Sequence, residues 1–193
     1  MKRLALLAIF IIFVIGCGGA GDNYFPLTVG NEWDYQMITT TTTTDTTYAD
    51  TGAVVTWSIT AEDTLNDGTP VFELTRGTIP FYVEETEDHI IQYTDKAGSN
   101  PDTVLAIPLE DGKAWDVDSN TTAEVVNKES VTVTAGTYDD CWKVMLIRTG
   151  VTSVDTYYNY YAPDIGYIKS YETEVNADTT VEWVFELVEP FLD

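Results

Sequence analysis

The chain has 193 residues, with 32 Asp and Glu against 9 Lys and Arg, one His and a net charge of −23. That length suits one domain able to bury roughly 70% of its unfolded surface. A charge of that sign and size excludes nucleic-acid phosphates and electrostatic docking on anionic headgroups.

The first element is a leader. Lys2 and Arg3 precede an uncharged apolar run, Leu4 to Ile15, and then Val14-Ile15-Gly16-Cys17. This is the order of a positive region, an apolar region and a cleavage site. As a helix, residues 4–16 would span about 20 Å, short of the ~30 Å of a bilayer core. Gly18-Gly19-Ala20-Gly21 cannot extend it. Val-Ile-Gly-Cys resembles the lipobox of bacterial lipoproteins. The resemblance implies cleavage between Gly16 and Cys17, a diacylglyceryl thioether on Cys17, and a membrane reached through two or three acyl chains, enough for stable anchoring. Gly18 after the cysteine, rather than Asp, points to the outer membrane under the enteric sorting rule; whether the body faces the periplasm or the surface stays open.

The expected organisation is a lipoprotein signal peptide at 1–16, a lipidated cysteine and flexible tether at 17–23, and a single mainly-β domain at 24–193. Without Lys2 and Arg3 the body has seven basic and 32 acidic residues, a net −25. We read that acidity as solubility outside the cytoplasm, with cation binding as the alternative. Lipidation of Cys17 leaves Cys141 without an intramolecular disulfide partner, so packing must hold the fold.

The body reads as strands. Trp33–Thr44 comes first, with Trp33, Tyr35 and Met37 on one face. Its threonine-rich end suits either an exposed strand leading to a protruding hairpin, the reading favoured here, or a glycosylated stalk. Ala53–Ala61 alternates Val55, Trp57 and Ile59 against Thr56, Ser58 and Thr60. Val71–Arg76, Phe81–Thr86, His89–Thr94, Thr103–Ile107, Thr121–Asn127 and Val131–Thr134 follow. Trp142–Thr149 comes next, and Trp142–Arg148 within it is apolar on both faces and is expected to be central and covered on both sides. Asp155–Tyr161 and Tyr167–Val175 lead to Val181–Val188, where Val181, Trp183, Phe185 and Leu187 oppose Glu182 and Glu186. Turns fall at Asn66-Asp67-Gly68, Gly98-Ser99-Asn100-Pro101, Glu110-Asp111-Gly112, Ala135-Gly136-Thr137, Ala162-Pro163-Asp164 and Asn176-Ala177-Asp178. Period-two alternation with no sustained 3.6 period predicts an all-β fold with little helix: a large curved antiparallel sheet, as an incomplete barrel or a sandwich, with strands lengthening toward the C-terminus.

Three blocks carry a wider resemblance. Phe25-Pro26-Leu27-Thr28-Val29-Gly30-Asn31-Glu32-Trp33-Asp34-Tyr35 fits FPLxxGNxWxY. Val131 to Cys141 fits VxVxAGTxDxC. Tyr160 to Lys169 is similar to YYAPGVGxVK, with Asp164 where Gly is common. Together they resemble TapB-like bacterial lipoproteins of unknown function. The resemblance implies a lipoprotein with a curved, incomplete β-barrel, and it brings no catalytic residues. Read physically, Gly30-Asn31 turns the chain into a strand anchored by Trp33 and Tyr35, and Gly136 takes a left-handed position.

No catalytic constellation emerges. His89 is the only histidine and reads as a residue at a strand start. Cys141 reads as a buried, inert thiol. Asp116-Val117-Asp118-Ser119-Asn120 opens like a calcium loop, but Thr121 stands where Gly is needed and Asn127 where Glu is needed, leaving at most a weak surface site. No cofactor and no metal centre are expected. The aromatic run offers candidate contacts to a glycan or hydrophobic ligand: Tyr158 and Tyr160 on one face of a strand, Tyr157 and Tyr161 on the other.

The function expected from these features is a non-enzymatic binding or structural module of the cell envelope. The alternatives are a carrier or sensor of a lipid or other hydrophobic ligand held in the concavity of the sheet and, less favoured, an acidic-residue envelope hydrolase. A carrier needs an unfilled apolar concavity; a filled one argues for structural duty.

Overall fold

A computed structural model describes residues 23–192. The expected signal peptide, its cleavage and lipidation residues Gly16 and Cys17, and most of the expected tether lie outside the described residues. Within them the chain forms twelve strands and no helix: β1 (Glu32–Thr43), β2 (Thr47–Thr64), β3 (Pro70–Arg76), β4 (Ile79–Glu85), β5 (His89–Tyr93), β6 (Asp102–Ala106), β7 (Ala114–Asp116), β8 (Thr121–Val133), β9 (Gly136–Thr149), β10 (Val154–Ala162), β11 (Gly166–Asn176) and β12 (Thr179–Phe191). All pairings are antiparallel. The all-β expectation holds, and of the expected forms the molecule takes the barrel, nearly closed.

One sheet holds all twelve strands, in the order β6-β5-β4-β3-β2-β1-β12-β11-β10-β9-β8-β7. Two six-strand meanders are thus joined by the first and last strands. The sheet's two edges, β6 and β7, are consecutive in the chain and meet across a seam. There the Thr103 amide donates to the Val117 carbonyl at 2.9 Å, and Trp115 Nε1 donates to the Thr103 carbonyl at 3.0 Å. Both edge strands are short, which limits their capacity to template further pairing. Register shifts at Asp34/Tyr35, Ile59/Ala61, Val125/Asn127 and Tyr160/Tyr161 supply the curvature that rolls the sheet.

The walls differ in height. β1, β2, β11 and β12 run 12, 18, 11 and 13 residues, whereas β3 to β7 run three to seven. A tall wall therefore stands above a low one. The threonine-rich segment is the upper half of β1, paired with β2 on one side and β12 on the other and closed by a hydrogen bond from the Thr43 amide to the Thr46 carbonyl at 2.8 Å. That supports the strand-and-hairpin reading.

Several expectations change. Thr121–Asn127 and Val131–Val133 belong to one strand, β8, whose bulges interrupt the alternation without ending the pairing, and Thr134 falls in the turn after it. The longest strand is β2, near the N-terminus. β7 is too short to leave an alternating pattern and is absent from the strands expected above. Trp142–Thr149, in β9, buries Val144 and Leu146 inward, but outward Met145 and Ile147 are only half-buried beside a shallow groove of about 300 Å³. It is covered on one face.

Candidate functional site

The turns at one end of the barrel, here the base, precede β1 and join β10 to β11. The first residues described are pinned there. The Asn23 amide donates to Asp164 Oδ1 at 3.1 Å, and the Asp164 amide returns a bond to the Asn23 carbonyl at 2.7 Å. Asn31, 1% exposed, donates from Nδ2 to the Pro26 carbonyl at 3.0 Å, while the Gly30 amide donates to the Ile59 carbonyl and the Ile59 amide to the Asn31 carbonyl. Gly30 has φ +106°, so the opening turn needs glycine's freedom. Trp33 and Tyr35 then enter the interior as expected. Trp33 Nε1 donates to the Ile165 carbonyl at 2.8 Å, and the Tyr35 hydroxyl donates to the Tyr167 carbonyl at 2.7 Å.

Above these turns the interior is filled by rings. Tyr35 packs against Trp57, Tyr167 and Phe185 with centroids 4.7, 5.6 and 5.1 Å apart, and Tyr161 meets Tyr167 edge-on at 5.8 Å. The space left between Phe25, Trp33, Tyr35, Trp57, Ile59, Leu74 and Tyr167 is about 20 Å³, room for little more than one water. Burial pushes the Tyr161 phenol up to about 12 and holds Tyr35 and Tyr167 well above the ordinary tyrosine value. These hydroxyls stay protonated.

Arg76 lies on the upper side of this plug. Its guanidinium sits 4.1 Å from the Trp57 ring and 4.5 Å from the Phe81 ring, and it donates to Gln92 Oε1. Its Nε is buried with no hydrogen-bond partner. Burial lowers its pKa first, against the opposing influence of the Tyr167 and Tyr35 phenols. Sequence reasoning missed this residue, although it follows Phe72 and Leu74 on the inward face of β3.

Where the tall wall rises past the plug, its concave side forms an open groove of about 630 Å³. Met37, Trp183, Glu172, Glu174 and Asp155 line it. Register places Trp183, Glu172 and Tyr157 in one row across β12, β11 and β10. Met37 is 40% exposed because no low-wall strand reaches it. Arg148 pairs with Asp155 at 3.3 Å.

The four candidate tyrosines divide as the alternation requires. Tyr157 and Tyr161 face inward with Leu146 and Trp142; Tyr158 and Tyr160 face outward beside Met145 and Lys143. Lys143 Nζ lies 4.6 Å from the Tyr158 ring and 5.6 Å from that of Tyr160. Tyr161 is a buried core residue, Tyr157 stands half-buried below the groove, and Tyr160 is only 7% exposed. They do not form one aromatic site.

The remaining candidates take structural places. His89 begins β5, its amide bonded to Thr86 Oγ1 at 2.9 Å. Cys141 is fully buried, its Sγ 3.2 Å from the Tyr138 carbonyl, and burial pushes its thiol up to about 11. Asp118 accepts from the Asn120 and Thr121 amides and from Thr121 Oγ1, which commits its carboxylate to its own turn. Among the described residues no three His, Cys, Asp or Glu side chains converge as metal ligands.

Comparison with protein families and with curated proteins finds no match. Among solved structures, a protein assigned as exported, with a YmcC-like fold, from Bacteroides fragilis is similar over 89% of this chain and 100% of its own, at 11% identity and a TM-score of 0.45. A protein assigned as a lipoprotein, from Parabacteroides distasonis, is similar over 88% of this chain and 99% of its own, at 17% identity and a TM-score of 0.41. At these scores the likenesses carry neither a function nor an address over to this chain. The TapB-like resemblance rests on its three sequence blocks.

Proposed function

We propose that the chain is an exported lipoprotein, anchored in the cell envelope through acyl chains on Cys17, whose barrel serves as a non-enzymatic binding or structural module. The observation that carries the reading is the leader itself, Lys2-Arg3, Leu4–Ile15 and Val14-Ile15-Gly16-Cys17, with the chain built into the base of the barrel from Asn23, six residues further on. The test is labelled-palmitate growth with membrane fractionation. The native sequence is expected to take up label and sediment with membranes, and Cys17→Ser is expected to do neither. Equal labelling of both would remove the proposal.

The filled floor favours structural duty over a deep hydrophobic carrier. A second reading, capture of a ligand above the plug, draws on one observation: the groove that leaves Met37 and Trp183 uncovered. Native mass spectrometry of the body from Gly18 onward separates the two, since a groove binder should retain a small molecule and a scaffold should not. The hydrolase alternative has less support. It would draw on Asp102, raised by burial and then by Asp118, whose own carboxylate is already held in its turn.

A further inference from the structure

Asn23, the first residue described, and the open groove lie toward opposite ends of the barrel, and we propose that the base is the surface that meets the lipid bilayer, so that the groove faces the aqueous side. The inference rests on lipidation of Cys17 and deepens that reading by fixing which end of the body touches the membrane.

Two observations carry it. First, Asn23 is fixed to the base by its two bonds with Asp164, beside the start of β1 and the end of β10. Six Cα steps separate Cys17 from Asn23, and at ~3.6 Å per step the acyl-bearing residue lies within about 22 Å of that point. Second, the groove residues Trp183, Glu172 and Glu174 lie toward the far ends of β12 and β11, with Met37 midway along β1. The β11–β12 turn stands one strand of 13 residues from Phe191, about 40 Å at ~3.4 Å per residue. At the base Val29, in the turn before β1, is 44% exposed and Phe191, paired with Glu32 at the start of β1, is 48% exposed, but the far end shows Val151, Val154 and Val175 to solvent more fully.

Charge does not select the end, because carboxylates occupy both: Asp164 and Glu189 near the base, Asp45 and Asp178 at the tips. Exposed apolar side chains do not select it either, because Val151, Val154 and Val175 stand at the far end; the covalent tether selects it. A body at −25 gains nothing from anionic headgroups, so the contact is with the interface of a zwitterionic bilayer, through the anchor. A ligand entering the groove then comes from the aqueous phase rather than from the anchoring leaflet.

The test uses the full acylated protein in phosphatidylcholine vesicles. Single cysteines are introduced as Val29→Cys at the base and Ala177→Cys at the tip of the tall wall, each carrying a fluorophore, with a nitroxide on the lipid headgroups as quencher. Cys141 is fully buried and its thiol lies near 11, so it takes no label in the native fold. Glu87→Cys, in the base turn between β4 and β5, replaces Val29→Cys if that label disturbs packing. The base probe is expected to be quenched at least threefold more than the tip probe. Protein that floats with vesicles and shows equal quenching at both ends, or stronger quenching at Ala177→Cys, overturns the orientation while leaving the anchor intact. Acylation-competent protein that fails to float removes the lipoprotein reading, and the orientation with it.

Discussion

Asn23 and Asp164, 141 residues apart, hold each other by two hydrogen bonds, one from each backbone amide. Asp164 does so at φ +58°, a left-handed conformation that Asp and Asn tolerate better than most side chains. The position thus needs both an unusual backbone and an acceptor. Asp164→Asn keeps both and should change stability little. Asp164→Gly keeps the backbone and loses the acceptor, at a cost of about 1 kcal/mol. Asp164→Ala loses both, adding ~1 kcal/mol or more of left-handed strain. Urea midpoints should therefore fall in the order Asn, Gly, Ala; an alanine variant as stable as the asparagine one would contradict the account.

Gly166 tests the same junction by sterics. It has φ +94°, and a Cβ there would stand 3.0 Å from Pro26 Cδ, so the opening segment and the β10–β11 turn touch with no space between them. Gly112 has φ +75°, and a Cβ there would meet nothing within 4 Å. Gly166→Ala should lower stability by more than about 2 kcal/mol, through strain and overpacking together. Gly112→Ala should lose only the ~1–2 kcal/mol of backbone strain. Chemical denaturation of the pair measures the difference, and equal losses would mean that Pro26 yields without cost.

These contacts explain how much of the molecule is legible in the sequence. Period-two alternation is visible wherever one face is buried and one wet, as at Trp57/Ile59 and Trp183/Phe185/Leu187, so nearly every long strand can be found. Alternation states which face is inward but not which strands are neighbours. The β1–β12 pairing, which turns two meanders into a barrel, depends on contacts more than 130 residues apart and leaves no local mark. The three blocks that carry the resemblance gather around the base. The first meets the third through Trp33–Ile165 and Tyr35–Tyr167, and the second reaches β12 through Ala135–Leu187. Their residues are legible as turns and core anchors, yet their convergence is not. Parity places Glu186 on the solvent face, but it is 9% exposed, since Thr134 of the β8–β9 hairpin donates to it from Oγ1 at 2.6 Å. The groove has no sequence signature because it arises from unequal strand lengths across the barrel, a property of no single segment.

Arg76 poses an energetic question that a substitution can decide. Stacking on Trp57 and Phe81 contributes roughly 0.5–2 kcal/mol. Against it stands a cation taken from water with one donor unsatisfied, and replacing such buried charge by an apolar side chain of similar length is often neutral or stabilising. Arg76→Met should therefore hold the melting temperature or raise it. Arg76→Ala should lower stability by about 2 kcal/mol, because the stem that covers the rings is lost. Thermal unfolding of both variants distinguishes packing from charge. A methionine variant as weak as the alanine one would show that the guanidinium itself stabilises the plug.

Asp102 gives the matching acid. Burial raises its pKa first, Asp118 second, and Arg76 opposes both. A carboxyl raised in the fold binds its proton more tightly there than in the unfolded chain. Its ionisation therefore weakens the fold as pH climbs from the ordinary aspartate value of 3.8 through the raised one. Asp102→Asn removes that loss. It should stabilise the barrel at pH 7 by a few tenths of a kcal/mol, about 0.5 at most given the site's partial solvation. The gain should fade as pH drops below 3.8, where both forms are neutral. Combining it with Arg76→Met extends the test. Asp102 is raised less than it would be without the guanidinium, so the asparagine should stabilise more in the Arg76→Met background than in the native one. Melting curves from pH 3 to 8 on the four proteins of this cycle measure the coupling. A gain that is independent of pH would rule out ionisation of Asp102 as its source, and a gain identical in both backgrounds would mean that Asp102 and Arg76 do not interact.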